Sequence, residues 1–252
     1  MKTIGIIPSR YDSTRFPGKP LAIINGKSMV QRVYEQTLKC PRLSTVVVAT
    51  DNDTIAGHVQ GFGGNAVMTS EGHATGTERC HEALLLSEQQ GIYHDVAINI
   101  QGDEPFIDPG QIDQVIGLFS DEKINIGTLI KRISENGQLN DPNIVKVVVG
   151  ISKKALYFSR AAIPFVRDKD KQQNPEALSF YKHIGIYGYR SETLKALIKL
   201  PPGNLEAAES LEQLRWLEHG FEIYTAETAA ESTGIDTYED LLKINRQQDK
   251  QR

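Results

Sequence analysis

The chain has 252 residues, 39% of them hydrophobic and 24% charged, with a formal net charge of −4. Those values fit one large globular α/β domain, or a core with a smaller lobe, without repeats or low-complexity tracts. The mild acidity excludes the basic footprint of a nucleic-acid or anionic-membrane binder, and no apolar run approaches the roughly 18 residues of a membrane span.

The predicted elements alternate. Thr3 to Pro8 reads as a buried strand, and Leu21 to Asn25 as a short second one before an Asn25-Gly26 turn. Ser28 caps a helix to about Lys39, and the β-branched run Ser44 to Thr50 is a strand buried on both faces. Asp51 or Asp53 caps a helix to Phe62, which Gly63-Gly64 ends. A brief strand at 66–69, a helix from Thr77 to Gln90 and a strand from Asp95 to Ile100 follow, before Asp108-Pro109 opens another helix. This rhythm predicts a mostly parallel sheet with helices on both faces. After Ile124 strand-like segments at 124–130, 144–149, 155–158 and 183–190 dominate, a mixed edge and smaller lobe. Helices are expected at 209–219 and 237–246, a loop at 167–176 and a fraying polar tail at 247–252. Cys40 and Cys80 lack metal-type spacing and read as reduced structural thiols. Pro8 interrupts the N-terminal apolar stretch too soon for a secretory signal, so a cytoplasmic protein is expected.

Chemistry concentrates first at I-P-S-R-Y-D-S-T-R-F-P-G-K-P-L, residues 7–21. A strand empties into a loop bearing Arg10, Arg15 and Lys19 among Ser9, Ser13, Thr14 and Gly18, the composition of a triphosphate cradle. It matches neither a Walker loop nor a Rossmann fingerprint. A solvated basic loop is the plainer reading, but Pro8, Pro17 and Pro20 stiffen the segment. At N-I-Q-G-D-E-P, residues 99–105, a buried strand ends in a sharp turn and puts Asp103 and Glu104 at the carboxyl edge where open α/β sheets bind ligands. Asp103 there suits Mg²⁺, which takes one or two carboxylates plus phosphate oxygens, or serves as a turn acid. Asp236 precedes a helix with Glu239 three residues on, so spacing alone reads it as a cap ahead of a ligand. G-H-A-T-G-T-E-R, residues 72–79, opens a helix whose amides suit a nucleotide, while His73 and His81 read as surface or capping residues. Arg160 and Arg167 suit a carboxylate or a surface ion pair, and K-H-I-G-I-Y-G-Y-R, residues 182–190, sets His183, Gly185, Tyr187 and Tyr189 on one strand face.

These motifs, with V-K-V-V, A-L-Y-F-S-R-A-A-I-P, L-E-Q-L-R and G-I-D-T-Y-E-D-L, run in order over residues 3–246 and closely resemble the 3-deoxy-manno-octulosonate cytidylyltransferases. The resemblance implies the nucleotide-diphospho-sugar transferase fold in a single domain over 1–246. Residues 1–123 would serve mainly the nucleotide, 124–230 the sugar and dimerisation, and 231–246 would return to the metal site. It implies a cytoplasmic homodimer that couples CTP to 3-deoxy-D-manno-octulosonate (Kdo) for lipopolysaccharide synthesis with Mg²⁺. Carried onto this chain, Arg10, Ser13, Thr14, Arg15 and Lys19 bind the triphosphate, and Gly76, Thr77 and Arg79 lie near the cytidine. Gln101, Arg160, Arg167, His183, Tyr187, Glu212 and Gln213 surround the sugar, and Asp103 and Asp236 hold the metal. With Arg10 and Lys19 the two acids form the expected catalytic set. The pattern departs at Ser9 for Ala, Phe16 for Leu, Thr75 for Ser and Tyr238 for Pro, none of which removes a charge. Alternatives are a cytidylyltransferase for 8-amino-Kdo or a sialic acid, and a catalytically idle nucleotide-sugar-binding protein.

Overall fold

The computed structural model describes residues 1–12, 16–167, 179–231 and 234–249. The chain forms two compact units, Met1–Asp113 with Glu231–Arg252, and Gln114–Ala230. The division falls within a helix rather than after Ile124.

In the first unit four parallel strands lie in the order β6 (Val96–Asn99), β1 (Thr3–Ser9), β4 (Thr45–Thr50), β5 (Ala66–Met68). Ile4 stands opposite both Thr45 and Ala97, which fixes the register of the three inner strands. Their Ile and Val runs are almost wholly buried, as strands covered on both faces require. A hairpin of β2 (Ile23–Ile24) and β3 (Lys27–Ser28) closes around the Asn25-Gly26 turn. Helix α1 (Met29–Thr37) is capped by Ser28, whose Oγ accepts from Gln31 N, and buries Met29, Val33 and Thr37 at four-residue spacing. Helix α2 (Asp53–Gly61) is capped by Asn52, not by either expected aspartate. Its Oδ1 accepts from the N–H groups of Thr54 and Ile55 at 3.0 and 3.1 Å, while Asp51 serves an arginine described below. Helix α3 (Gly76–Gln89) opens on a capping box between Thr75 and Glu78, and α4 (Pro109–Leu118) follows Asp108.

In the second unit β7 (Ile126–Arg132) pairs in parallel with β11 (Ile223–Glu227) and antiparallel with β10 (Tyr181–Arg190). β8 (Lys146–Val149) lies antiparallel to both β10 and β9 (Ala155–Ser159). Short helices α5 (Asn136–Asn140) and α6 (Ser191–Leu197) are additional to the sequence reading. The helix expected at 209–219 starts later, as α8 (Glu212–Glu218), and a separate helix, α7 (Asn204–Glu209), precedes it. Ser210 between them is left-handed, with φ +52°, and such a residue cannot continue a right-handed helix. The last helix, α9 (Tyr238–Asp249), belongs to the first unit and runs beyond the expected Arg246. Its Leu241 and Ile244 join Ile24, Met29, Phe106 and Ile235 in one apolar cluster, which returns the C-terminal segment to the first unit. Among the described residues no helix is long and apolar enough to cross a membrane.

Candidate active site

The carboxyl ends of β1 and β6 open on a cavity of about 260 Å³, lined by Ser9, Arg10, Lys19, Gly76, Gln101, Gly102, Asp103 and Asp236 among others. Gly18, at φ +69°, turns the chain into a 3-10 turn that begins with Lys19. Lys19 Nζ donates to Asp103 Oδ2 at 2.8 Å and to Asp236 Oδ1 at 3.3 Å, so one ammonium joins two acids more than a hundred positions apart in the sequence. What brings them together is a backbone bond: Ile235 N donates to the Asp103 carbonyl at 2.9 Å. Asp236 does not cap α9. Thr237 does, its Oγ1 accepting from Asp240 N at 3.2 Å while Asp240 Oδ2 accepts from Thr237 N at 3.0 Å.

Gly102 has a steric reason to be glycine. A Cβ there would lie 2.7 Å from the Pro8 carbonyl oxygen and 3.2 Å from Ser9 Oγ, so only hydrogen lets β1 and the Gln101–Asp103 turn approach. Two acids facing one cation fit a hard divalent ion, which needs only one or two carboxylates when phosphates supply further oxygens. Ser13, Thr14 and Arg15 lie outside the described residues.

Arg79 has a different setting from the rest of its motif. It is 3% exposed, and its guanidinium donates to Asp51 Oδ2 at 2.6 Å, Thr69 Oγ1 at 2.7 Å and the Ser70 carbonyl at 3.3 Å. It thus braces the 69–75 loop beside the cavity it lines. His73, also lining the cavity, bonds the Glu82 carboxylate. Burial works to raise the Glu82 pKa, but bonds from Ser70 N–H and His73 hold it below the usual carboxylate range. Thr77 is buried in the first turn of α3.

In the second unit the His183 and Tyr187 rings lie 5.1 Å apart, tilted at 44°, and Tyr187 stacks on Tyr189 at 5.9 Å and meets Trp216 edge to face at 5.2 Å. Burial, then the charge of Glu212, pushes the Tyr187 phenol well above its ordinary range, so it stays protonated. Burial pushes the His183 imidazole down to about 3, so it is neutral at neutral pH. Glu212 opens α8 and Gln213, beside it, is buried. Arg160 departs from the carboxylate fork expected of it. Its guanidinium donates to the carbonyls of Glu209, Pro142 and Ser210, and its backbone N–H to the Glu209 carboxylate, which pins the α7–α8 break. Arg167 is exposed, and residues 168–176 of the expected loop lie outside the described residues.

The model of one family, described as cytidylyltransferase, matches residues 4–226. The chain belongs to the cytidylyltransferase family. It is 50% identical over 247 residues to the 3-deoxy-manno-octulosonate cytidylyltransferase of Parabacteroides distasonis, covering 96% of each chain. It is 48% identical over 250 residues to that of Geobacter sulfurreducens, covering 97% of this chain and 98% of the relative. Among solved structures it is similar to a CMP:2-keto-3-deoxy-manno-octonic acid synthetase complexed with CTP, with TM-score 0.91, 40% identity and full coverage of both chains. A Bacillus anthracis structure described as a glucose-1-phosphate thymidylyltransferase, at 17% identity and TM-score 0.63, shares the fold.

For a cytidylyltransferase the supporting residues are as informative as the motifs. Asp51, Glu82 and Glu209 each hold a motif residue or its loop, and none was singled out as a site residue from the sequence. A lone acid in a strand-to-helix turn, within a helix or at a helix end carries no local signal; only the fold assigns it a partner.

Proposed function

We propose that the chain transfers the cytidylyl group of CTP to the anomeric 2-hydroxyl of Kdo, releasing pyrophosphate. The observation that carries this reading is the convergence of Arg10, Lys19, Asp103 and Asp236 on one cavity, in a chain about half identical to named Kdo cytidylyltransferases. The hydroxyl oxygen bonds to the α-phosphorus as the bond to the β-phosphate bridge breaks. Pyrophosphate leaves with the electron pair, and the hydroxyl proton passes to solvent.

Arg10 and Lys19 neutralise the phosphates, and their effect grows as charge builds on the leaving group. Asp103 and Asp236 would hold Mg²⁺, which when bound lowers a hydroxyl pKa and neutralises phosphate charge. Gly76 and Thr77 begin α3 at the cavity rim, where helix amides favour a nucleotide, and Arg79 with Asp51 keeps that rim in place. Gln101, His183, Tyr187, Glu212 and Gln213 serve the sugar acid. Arg160 acts there by positioning α8, and Arg167 remains available to a carboxylate. The same reading includes a homodimer, a cytoplasmic setting and a role in lipopolysaccharide synthesis.

The test is pyrophosphate release from CTP with a panel of Kdo, 8-amino-Kdo and a sialic acid. Kdo should give the highest kcat/KM. Preference for another acid would replace the substrate, and absence of release with all three would favour an idle binding protein.

A further inference from the structure

Strand β10 does not pair evenly with β7. His183 stands opposite Ile130 and Ile184 opposite Leu129, yet the next partner, Thr128, faces Tyr187, so Gly185 and Ile186 are passed over. Such bulges re-aim side chains and gather beside functional sites. The fully buried Thr128 fills this one. Its Oγ1 lies 2.7 Å from the Ile186 carbonyl, 3.3 Å from the Ile184 carbonyl and 2.9 Å from His183 Nε2.

A threonine hydroxyl has one hydrogen and two lone pairs. The two carbonyls only accept, so that hydrogen goes to the bulge, to Ile186 at the shorter distance. None is left for Nε2, which must donate to the hydroxyl oxygen. A neutral imidazole with its proton on Nε2 carries a lone pair on Nδ1. Phe158 and Tyr187, with ring centroids 5.2 and 5.1 Å from His183, hold the ring in place.

We infer that Thr128 locks His183 as the Nε2–H tautomer, which makes Nδ1 a dedicated hydrogen-bond acceptor. Thr128 is then a positioning residue, and His183 reads a hydroxyl of the substrate while offering nothing to a carboxylate. The substrate clause rests on the proposed assignment of His183 to the sugar acid; the tautomer does not.

The experiment is long-range ¹H–¹⁵N correlation on the full chain labelled at histidine nitrogens, at neutral pH, with His183→Gln identifying the signal. Wild type and Thr128→Ser should show a neutral His183 ring protonated on Nε2. Thr128→Val should move the proton to Nδ1 or average the two forms. The KM for Kdo should rise about tenfold in Thr128→Val, the size of one lost neutral hydrogen bond, with Thr128→Ser restoring it and the KM for CTP unmoved. A wild-type ring protonated on Nδ1 or on both nitrogens overturns the lock, as does a Thr128→Val spectrum identical to wild type. If Thr128→Val does not fold, the wild-type and Thr128→Ser spectra still decide. A correct tautomer with an unchanged Kdo KM in His183→Gln would keep the lock and remove His183 from the sugar site.

Discussion

The N–H of Ile235 donates to the carbonyl oxygen of Asp103 across 2.9 Å, and this bond joins the end of the first unit's chain to the turn after β6. Because Asp236 is the next residue, its carboxylate arrives beside that of Asp103, with Lys19 between them. The apolar contacts of Ile235, Leu241 and Ile244 keep the segment there.

Thr237, not Asp236, caps α9, so the two neighbours should separate stability from activity. Thr237→Ala should cost about 1 kcal/mol in urea unfolding and leave most turnover. Asp236→Asn should leave stability within about 0.5 kcal/mol, as a change away from caps and core does, while abolishing turnover. A large stability loss in Asp236→Asn with turnover kept would restore the capping role.

Phe16 and Tyr238, two departures from the family pattern, pack edge to face at 5.9 Å. Phe16 follows the phosphate loop and Tyr238 begins the helix after Asp236, so the pair ties those two segments. A double-mutant cycle with Phe16→Leu and Tyr238→Pro should show coupling of about 0.5 kcal/mol, the low end for an aromatic pair because Tyr238 is half exposed. Additive effects would mean the two departures are independent.

Gly102→Ala should destabilise the chain by about 1–3 kcal/mol, the range for inserting a methyl group where backbone must shift. The displaced turn carries Asp103, so kcat should fall as well. Thermal unfolding and turnover measured together check this; an unchanged variant would mean the strand and turn are not in contact.

The His183 imidazole, at about 3 in the folded chain, lies below its ordinary unfolded value of about 6.5. Between those values the unfolded state binds the additional proton, so this group's contribution weakens the fold as pH falls through 6.5 toward 3. His183→Gln should therefore lose less stability than wild type between about pH 7 and pH 4, measured by urea unfolding. Parallel curves would place the histidine in an environment that solvates its charge.

Much of the fold was legible because β1, β4 and β6 are covered on both faces and write that as unbroken apolar runs. The loop with Arg10 and Lys19, and the turn with Asp103, were legible as strand ends loaded with charge. Asp236 was not legible from spacing, because its distance to Glu239 imitates a cap; the family resemblance named it beside Asp103, and the Ile235–Asp103 bond is what brings the two together. The break at Ser210 was hidden because Arg160, fifty positions earlier, engages the carbonyls of Glu209 and Ser210. The protein partners of Arg79 and Arg160 were not legible, because a sequence displays an arginine's charge but not the bonds it makes within the fold.

Phosphorus NMR of the full chain with CTP, Kdo and Mg²⁺, run beside Asp103→Asn, tests the central claim most directly. Wild type should convert CTP into equal amounts of one phosphodiester and pyrophosphate. Asp103→Asn should slow this by about 10²–10³-fold or more, the size of losing one main electrostatic group from a transfer site. Release of the γ-phosphate alone, or wild-type turnover by Asp103→Asn, would contradict a cytidylyl transfer built on the Lys19, Asp103 and Asp236 cluster.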